Sequence, residues 1–180
     1  MSKIVSQLFV SVDGVVEAPE QWHFPYHDDQ MAAAVAEQLD EADTLLLGRR
    51  TYEVFASSWP GRGSEVPFAD RINSMRKLVA STTMTSPEWH NSTVIRGEVS
   101  AELAALKQDR GGHITVSGSL TLVRSLLRDN VLDELQLLVH PIVVGGGERL
   151  FPHDGDRIPL RLVHSATFSS GVLHLTYRSA

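Results

Sequence analysis

The chain has 180 residues, 42% of them hydrophobic, with 22 acidic against 16 basic side chains and a formal net charge of −6. That length suits one well-packed α/β domain over residues 1–180, and the acidic balance argues against a nucleic-acid binder, which carries a basic face to neutralise phosphates. Cysteine is absent, which excludes disulfides and thiolate zinc sites; the N-terminus lacks an apolar signal core, and no stretch reaches the ~20 apolar residues that span a bilayer, so a soluble, cytoplasmic protein is expected.

Ile4 to Val10 reads as the first strand, and Asp13-Gly14 directly after it is first of all a turn signal. The segment Trp22 to Asp29, WHFPYHDD, gathers aromatics, histidines and acids ahead of a helix over Asp28 to Glu41, along which Met31, Val35 and Leu39 share one face. Asp28 is a natural N-cap for that helix; functionally, it or His27 could hydrogen-bond a substrate or relay a proton. His23 and His27 are four apart, but Pro25 between them precludes a helical metal pair, and no metal site is expected.

The next strand, Thr44 to Leu47, ends at Gly48 and is followed by Arg49, Arg50 and Thr51 at the start of a helix over Thr51 to Ala56. Cations at a helix N-terminus are unfavourable unless an anion is nearby. Fork-shaped guanidinium donors and a free helix end together suit a phosphate monoester, the alternative being two solvated arginines. Ser57 to Val66, rich in Gly, Pro and Ser, reads as a surface flap, and Phe68 to Met75 as a helical turn. Leu78 to Ala80 is a strand leading into Ser81 and Thr82, which would face the same crevice if the sheet is open and parallel, because ligands bind outside the carboxyl ends of such strands.

After a short strand at Thr93 to Ile95 and a helix over Ser100 to Gln108 with a Ser-x-Glu start, the run from His113 to Phe151 reads as strand, turn, helix, strand and glycine loop. Ile114 to Val116 ends at Gly118-Ser119, where Leu120, Val123, Leu126 and Leu127 begin a helical spacing. The unpaired amides and positive dipole end at that point favour an anion, with Ser119 as N-cap or as a ligand; the plain reading is an ordinary crossover. Glu134 to Val139 leads into PIVVGGGERLF, which lacks the Gly-Lys-Ser ending of a triphosphate cradle and allows close backbone approach to a ligand or to the Gly118 turn. The last strands, Leu160 to Ser165 and Val172 to Tyr177, flank Ser169-Ser170-Gly171 as an antiparallel hairpin. Alternating strands and helices followed by a hairpin predict a mixed sheet covered by helices on both faces.

Taken in order, SVDG, LLGRRTYEVF, the VSGS turn, DNVLDEL and HPIVVGGGERLF resemble the dihydrofolate-reductase-like family related to the C-terminal reductase domain of bacterial riboflavin biosynthesis, over nearly the whole chain. The resemblance implies a three-layer αβα fold with a mixed eight-stranded sheet, binding NADPH and commonly a homodimer. By position, Gly48, Arg49, Arg50 and Thr51 would lie near the adenosine phosphates, Ser81 and Thr82 beside the adenosine ribose, and Gly118, Ser119, Leu120 and Thr121 at the pyrophosphate. Asp13 and the Trp22 to Asp28 segment would border the nicotinamide and a small-molecule substrate, with Asp13 or Asp28 orienting or protonating it and Trp22 and His27 contacting it. Two departures stand out. The acid expected two residues after Pro25 is His27, with Asp28 one later, which argues against folate; and the paired glycines of the pyrophosphate turn are Gly118-Ser119. With no zinc-binding cysteines no accompanying deaminase is expected, and the resemblance implies a stand-alone NADPH-dependent reductase, the alternative being a non-catalytic nucleotide-binding module on the same fold.

Overall fold

The computed structural model describes residues 2–108 and 111–180. Eight strands form one sheet: β1 (Ile4–Ser11), β2 (Ala42–Gly48), β3 (Arg76–Ala80), β4 (Ser92–Ile95), β5 (His113–Val116), β6 (Glu134–His140), β7 (Leu160–Thr167) and β8 (Leu173–Ser179), in the order β4-β3-β2-β5-β1-β6-β8-β7. β1 to β6 pair in parallel, and β8 runs antiparallel to both β6 and β7. This is the mixed eight-stranded sheet with a terminal hairpin that the alternation of elements predicts. The hairpin closes at Gly171, whose φ of 86° needs a residue without a Cβ.

Five helices cover the sheet: α1 (Asp29–Glu41), α2 (Arg49–Ser58), α3 (Ala69–Ser74), α4 (Val99–Leu106) and α5 (Leu120–Arg128). The period-2 alternation of the strands decides which face each helix meets. On β2, Leu46 points to a core shared with Leu103 of α4 and Leu122, Val123, Leu126 and Leu127 of α5. Its neighbours Leu45 and Leu47 point the other way, toward Leu39 of α1, Tyr52 of α2 and Ile72 of α3. A third cluster, Met31, Ala34, Leu138, Phe168 and Val172, seats α1 on β6 and the hairpin.

Several local expectations shift. The helix expected from Thr51 begins two residues earlier, so both arginines lie in its first turn, and it runs on to Ser58, into the segment read as a flap. α4 starts at Val99 without a side-chain cap, because the Ser100 hydroxyl donates to Asp129 (2.8 Å) instead of closing a capping box. The glycine loop does not pack on the Gly118 turn. It lies against the segment after β1, where Val15 bridges to Arg149, and a Cβ on Gly147 would approach Val15 Cγ1 to 3.0 Å.

Candidate functional site

The order β3-β2-β5 places three carboxyl strand ends side by side, and two helices start there. α2 opens after Gly48 and α5 after Ser119; neither has a side-chain cap or an acidic residue in its first turn. α1, by contrast, has its Asp28 cap and Asp29. Two positive helix ends without side-chain caps therefore face one cleft of about 520 Å³, lined by Gly48, Arg49, Arg50, Thr51, Ala80, Ser119, Leu120, Thr121 and Glu148 among others, Glu148 being paired with Arg124. The two turns touch: a Cβ on Gly118 would lie 2.8 Å from Thr51 Cγ2, and one on Gly48 would lie 2.7 Å from Ser119 Cβ.

Both residues of the Gly118-Ser119 step have positive φ. Gly118 has φ 64° and Ser119 φ 50°, so the serine adopts the left-handed conformation despite its Cβ. Such a residue costs on the order of 1–3 kcal/mol and persists where its surroundings over-determine it. Ser119 occupies the N-cap position of α5, but its hydroxyl makes no cap bond. The two arginines differ. Arg49 is paired with Glu53 one turn on (2.8 Å), whereas Arg50, exposed in the same turn, has no hydrogen bond or ion pair among the described residues. Ser81 and Thr82 follow Ala80 at the end of β3 and are not part of the cleft wall. Ser81 Oγ is spent accepting from the amides of Thr83 (3.2 Å) and Met84 (3.0 Å), closing a local turn.

A second cavity of about 490 Å³ adjoins the first and shares Ser119 and Leu120 with it. It lies between the sheet face of β1 and β5 and the helices α1, α2 and α3, with walls that include Phe9, Val35, Leu39, Phe55, Trp59 and Phe68. Its polar lining is Gln7, Gln38, Thr115 and the serines of the β5 turn. The register Val5↔Thr115 and Gln7↔Gln136 puts Gln7, Thr115 and Gln136 on the same face of the sheet. Gln38 Nε2 donates to Thr115 Oγ1 across the gap between α1 and β5, and Gln7 Nε2 donates to Gln136 Oε1 at 3.1 Å.

The residues expected to contact substrate lie elsewhere. Asp13 accepts from Ser11 Oγ (2.6 Å) and from the amides of Val144 (3.1 Å) and Gly145 (2.9 Å), fastening the first turn to the glycine loop. Asp28 accepts from Met31 N (2.8 Å) as the α1 cap, and from Ser169 Oγ and Ser170 N, both 3.0 Å, in the β7–β8 hairpin. Hydrogen bonds to the charged form hold both carboxyls down: at about 2 for Asp13, led by the Ser11 hydroxyl, and at about 2 for Asp28, led by the Met31 amide. Both are ionised at neutral pH and committed to backbone, so neither is placed to donate a proton. Trp22 is buried with its Nε1 on Glu17 O (3.0 Å) and its ring edge-on to His140 (5.2 Å), and His27 is exposed on the surface before α1. Neither lines either cavity.

Sequence reasoning passed over Gln7, Gln38 and Thr115. Gln38 carried a signal, since it stands three residues after Val35 and seven after Met31, a polar side chain on the helix face that is otherwise apolar. His140 is fully buried at the end of β6 among Phe9, Trp22, His23 and Tyr26. Burial pushes its pKa down, and the pKa of His23 is lowered by burial and then by the neighbouring charge of His140. Among the described residues, no group of three or more His, Asp or Glu could hold a metal ion, and no helix is long and apolar enough to cross a membrane.

Comparison with known proteins places this architecture. The model of the RibD C-terminal domain matches residues 2–174. The chain is 28% identical over 181 residues to the uncharacterized protein YyaP of Bacillus subtilis (strain 168), covering 97% of this chain and 94% of that protein. A putative riboflavin biosynthesis protein from Shewanella sp. PV-4 has the same fold, with a TM-score of 0.78 at 19% identity over 99% of both chains. A dihydrofolate reductase from Enterococcus faecalis, complexed with NADP(H), gives a TM-score of 0.64 at 17% identity over 98% of this chain and 96% of that one. With its mixed eight-stranded sheet and the family match along almost all of its length, the chain belongs to the RibD C-terminal domain family and has a dihydrofolate-reductase-like fold.

Proposed function

We propose that the protein is an NADPH-dependent reductase that delivers hydride to a small heterocyclic, carbonyl or imine substrate. The observation that carries this reading is the continuity of an anion cradle with an apolar-walled pocket through Ser119 and Leu120. The residues present fit the cofactor. The unpaired amides at the start of α5 suit its pyrophosphate, the free guanidinium of Arg50 suits the extra phosphate that distinguishes NADPH from NADH, and Gly118, having no Cβ, lets the α5 turn close onto Thr51. The family match and the fold shared with an NADP(H)-complexed reductase support the same assignment.

Bound NADPH supplies the hydride; the protein supplies position and environment. Phe9, Phe55, Trp59 and Phe68 exclude water from the pocket and confine a flat ring, and the Gln38–Thr115 pair orients its polar edge. Asp13 and Asp28 line neither cavity, so neither carboxyl delivers the accompanying proton within the pocket. Titration of the purified protein with NADPH and NADH tests the reading: NADPH binds more tightly, and its oxidation accelerates when a substrate is added. Equal affinity for the two would overturn the role of Arg50; cofactor binding without turnover across a broad panel would make the chain a nucleotide-binding module instead.

A further inference from the structure

Lys77 on β3 is fully buried, and among the described residues no carboxylate pairs with it. Burial pushes its pKa down to about 8, which leaves it charged at neutral pH. An unpaired ammonium is costly to bury, and an apolar side chain would fill the same space without that cost. The charge is spent on three neighbours. Nζ donates to the carbonyls of Asn73, near the end of α3, and of His90 (3.2 Å), and it lies over the ring of Trp89, 4.3 Å from its centre.

Trp89 and Asn73 carry these contacts to α2. Trp89 N donates to Tyr52 Oη (2.9 Å), Trp89 Nε1 donates to Asn73 Oδ1 (3.0 Å), and Asn73 Nδ2 donates to Trp59 O (3.0 Å). Tyr52 follows Thr51 at the end of the first turn of α2, and Trp59 is the C-cap, so both ends of the helix are tied to the same two residues. The apolar seat of α2 is thin. Among the described residues Tyr52 is its one buried side chain, with Phe55 and Ala56 only partly covered. Where packing seats a helix this loosely, a connected set of buried hydrogen bonds decides its pose. That pose matters at the cleft, because Arg50 lines it from the first turn of α2.

We infer that Lys77 is a positioning residue: through Trp89 and Asn73 it fixes α2 where Arg50 reaches the extra phosphate of NADPH. The consequence for cofactor choice rests on the reductase reading; the hold on α2 does not.

Two substitutions separate the parts of this route. Lys77→Met removes the charge and keeps most of the length, whereas Tyr52→Phe leaves the lysine's own contacts in place and cuts the tie from Trp89 to α2. Each variant, and the two combined, is titrated with NADPH and with NADH, and backbone hydrogen exchange is followed across α1, α2 and α5. Both single variants should lose about tenfold of the preference for NADPH over NADH, with NADH affinity nearly unchanged and only α2 exchanging faster. The double variant should lose no more than the worse single one, because both act along one route. Preference retained in either single variant, additive losses, or equal weakening of both cofactors with faster exchange in α1, α2 and α5 alike would each overturn the inference. If Lys77→Met does not fold, Tyr52→Phe decides alone: retained preference and unchanged α2 exchange in it overturn the inference. If the wild-type protein shows no preference for NADPH, the reading of Arg50 fails and exchange decides, faster exchange confined to α2 upholding the hold of Lys77 and unchanged exchange overturning it. If the wild type prefers NADPH and both variants keep that preference, the reductase reading stands and the positioning role fails.

Discussion

Gly48 and Ser119, each the last residue before a helix, stand so close that a Cβ on Gly48 would lie 2.7 Å from the Cβ of Ser119. Carbon atoms do not approach so closely, so the β2–α2 turn reaches the β5–α5 turn only because residue 48 has no side chain. The juxtaposition brings two helix N-termini to one cleft. Gly48→Ala is expected to push the turns apart, weakening NADPH at least about tenfold and lowering stability by about 1–3 kcal/mol. Adding Ser119→Gly removes the obstructing side chain and should restore much of the loss. A double-mutant cycle read by NADPH titration and thermal melting checks this, and additive effects would show that the two turns are not coupled.

Arg49 and Arg50 are adjacent but differently engaged, and the difference is measurable. Arg49 is held by Glu53, an exposed pair of little energetic consequence, while Arg50 is free. Arg50→Ala should reduce NADPH affinity by about 1.5–3 kcal/mol, the value of a charge-assisted bond, and leave NADH affinity nearly unchanged. Arg49→Ala should have the smaller effect on both. The same loss for NADPH and NADH in the Arg50 variant would refute recognition of the additional phosphate.

Asp28 joins the start of α1 to the β7–β8 hairpin through Met31, Ser169 and Ser170. Asp28→Ala should therefore cost about 0.5–2 kcal/mol of stability through the lost cap, with NADPH affinity retained. Chemical denaturation and cofactor titration of the same variant separate the outcomes. A stable variant that has lost turnover would return Asp28 to a catalytic role.

Buried imidazoles set the acid side of the stability profile. His23 Nδ1 and His140 Nε2 are sealed from solvent without partners, and both side chains titrate below their ordinary value of 6.5. The groups facing them are each other, His27, and Glu20, which opposes the shift at His23. Above pH 6.5 folded and unfolded chains are both neutral at these positions, so nothing is lost. As pH falls through 6.5 the unfolded chain takes up protons that the folded chain excludes, and stability declines. A second decline follows between pH 3.8 and about 2, where Asp13 and Asp28 lose the charge that their hydrogen bonds favour. Melting temperatures measured from pH 8 downward should thus begin to fall near pH 6.5, and His140→Phe should flatten the first decline. A profile that is level until pH 4 would contradict it.

Much of the fold was legible because it is local. Runs of apolar residues at periods of 2.0 and 3.6, punctuated by Gly48, Gly118 and Gly171, suffice to place eight strands and the helices between them. The meeting of the two helix starts at one cleft was legible for the same reason: Arg49-Arg50-Thr51 and Gly118-Ser119 each mark a strand-to-helix turn, and parallel topology brings such turns together. Gly118-Ser119 looked like a departure from paired glycines, yet Ser119 adopts a left-handed φ of 50°, a cost that only packing against the Gly48 turn makes visible.

The second cavity was decided by tertiary structure alone. Asp13, Trp22, His27 and Asp28 were expected to border one pocket, but hydrogen bonding ties both carboxylates to distant backbone and burial sets Trp22 edge-on to His140. The polar edge of the pocket instead joins Gln38 of α1 to Thr115 of β5, 77 residues apart. An amide and a hydroxyl have no spacing rule that links them across such a distance. Only the register of β5 on β1 and the docking of α1 over both put them in contact.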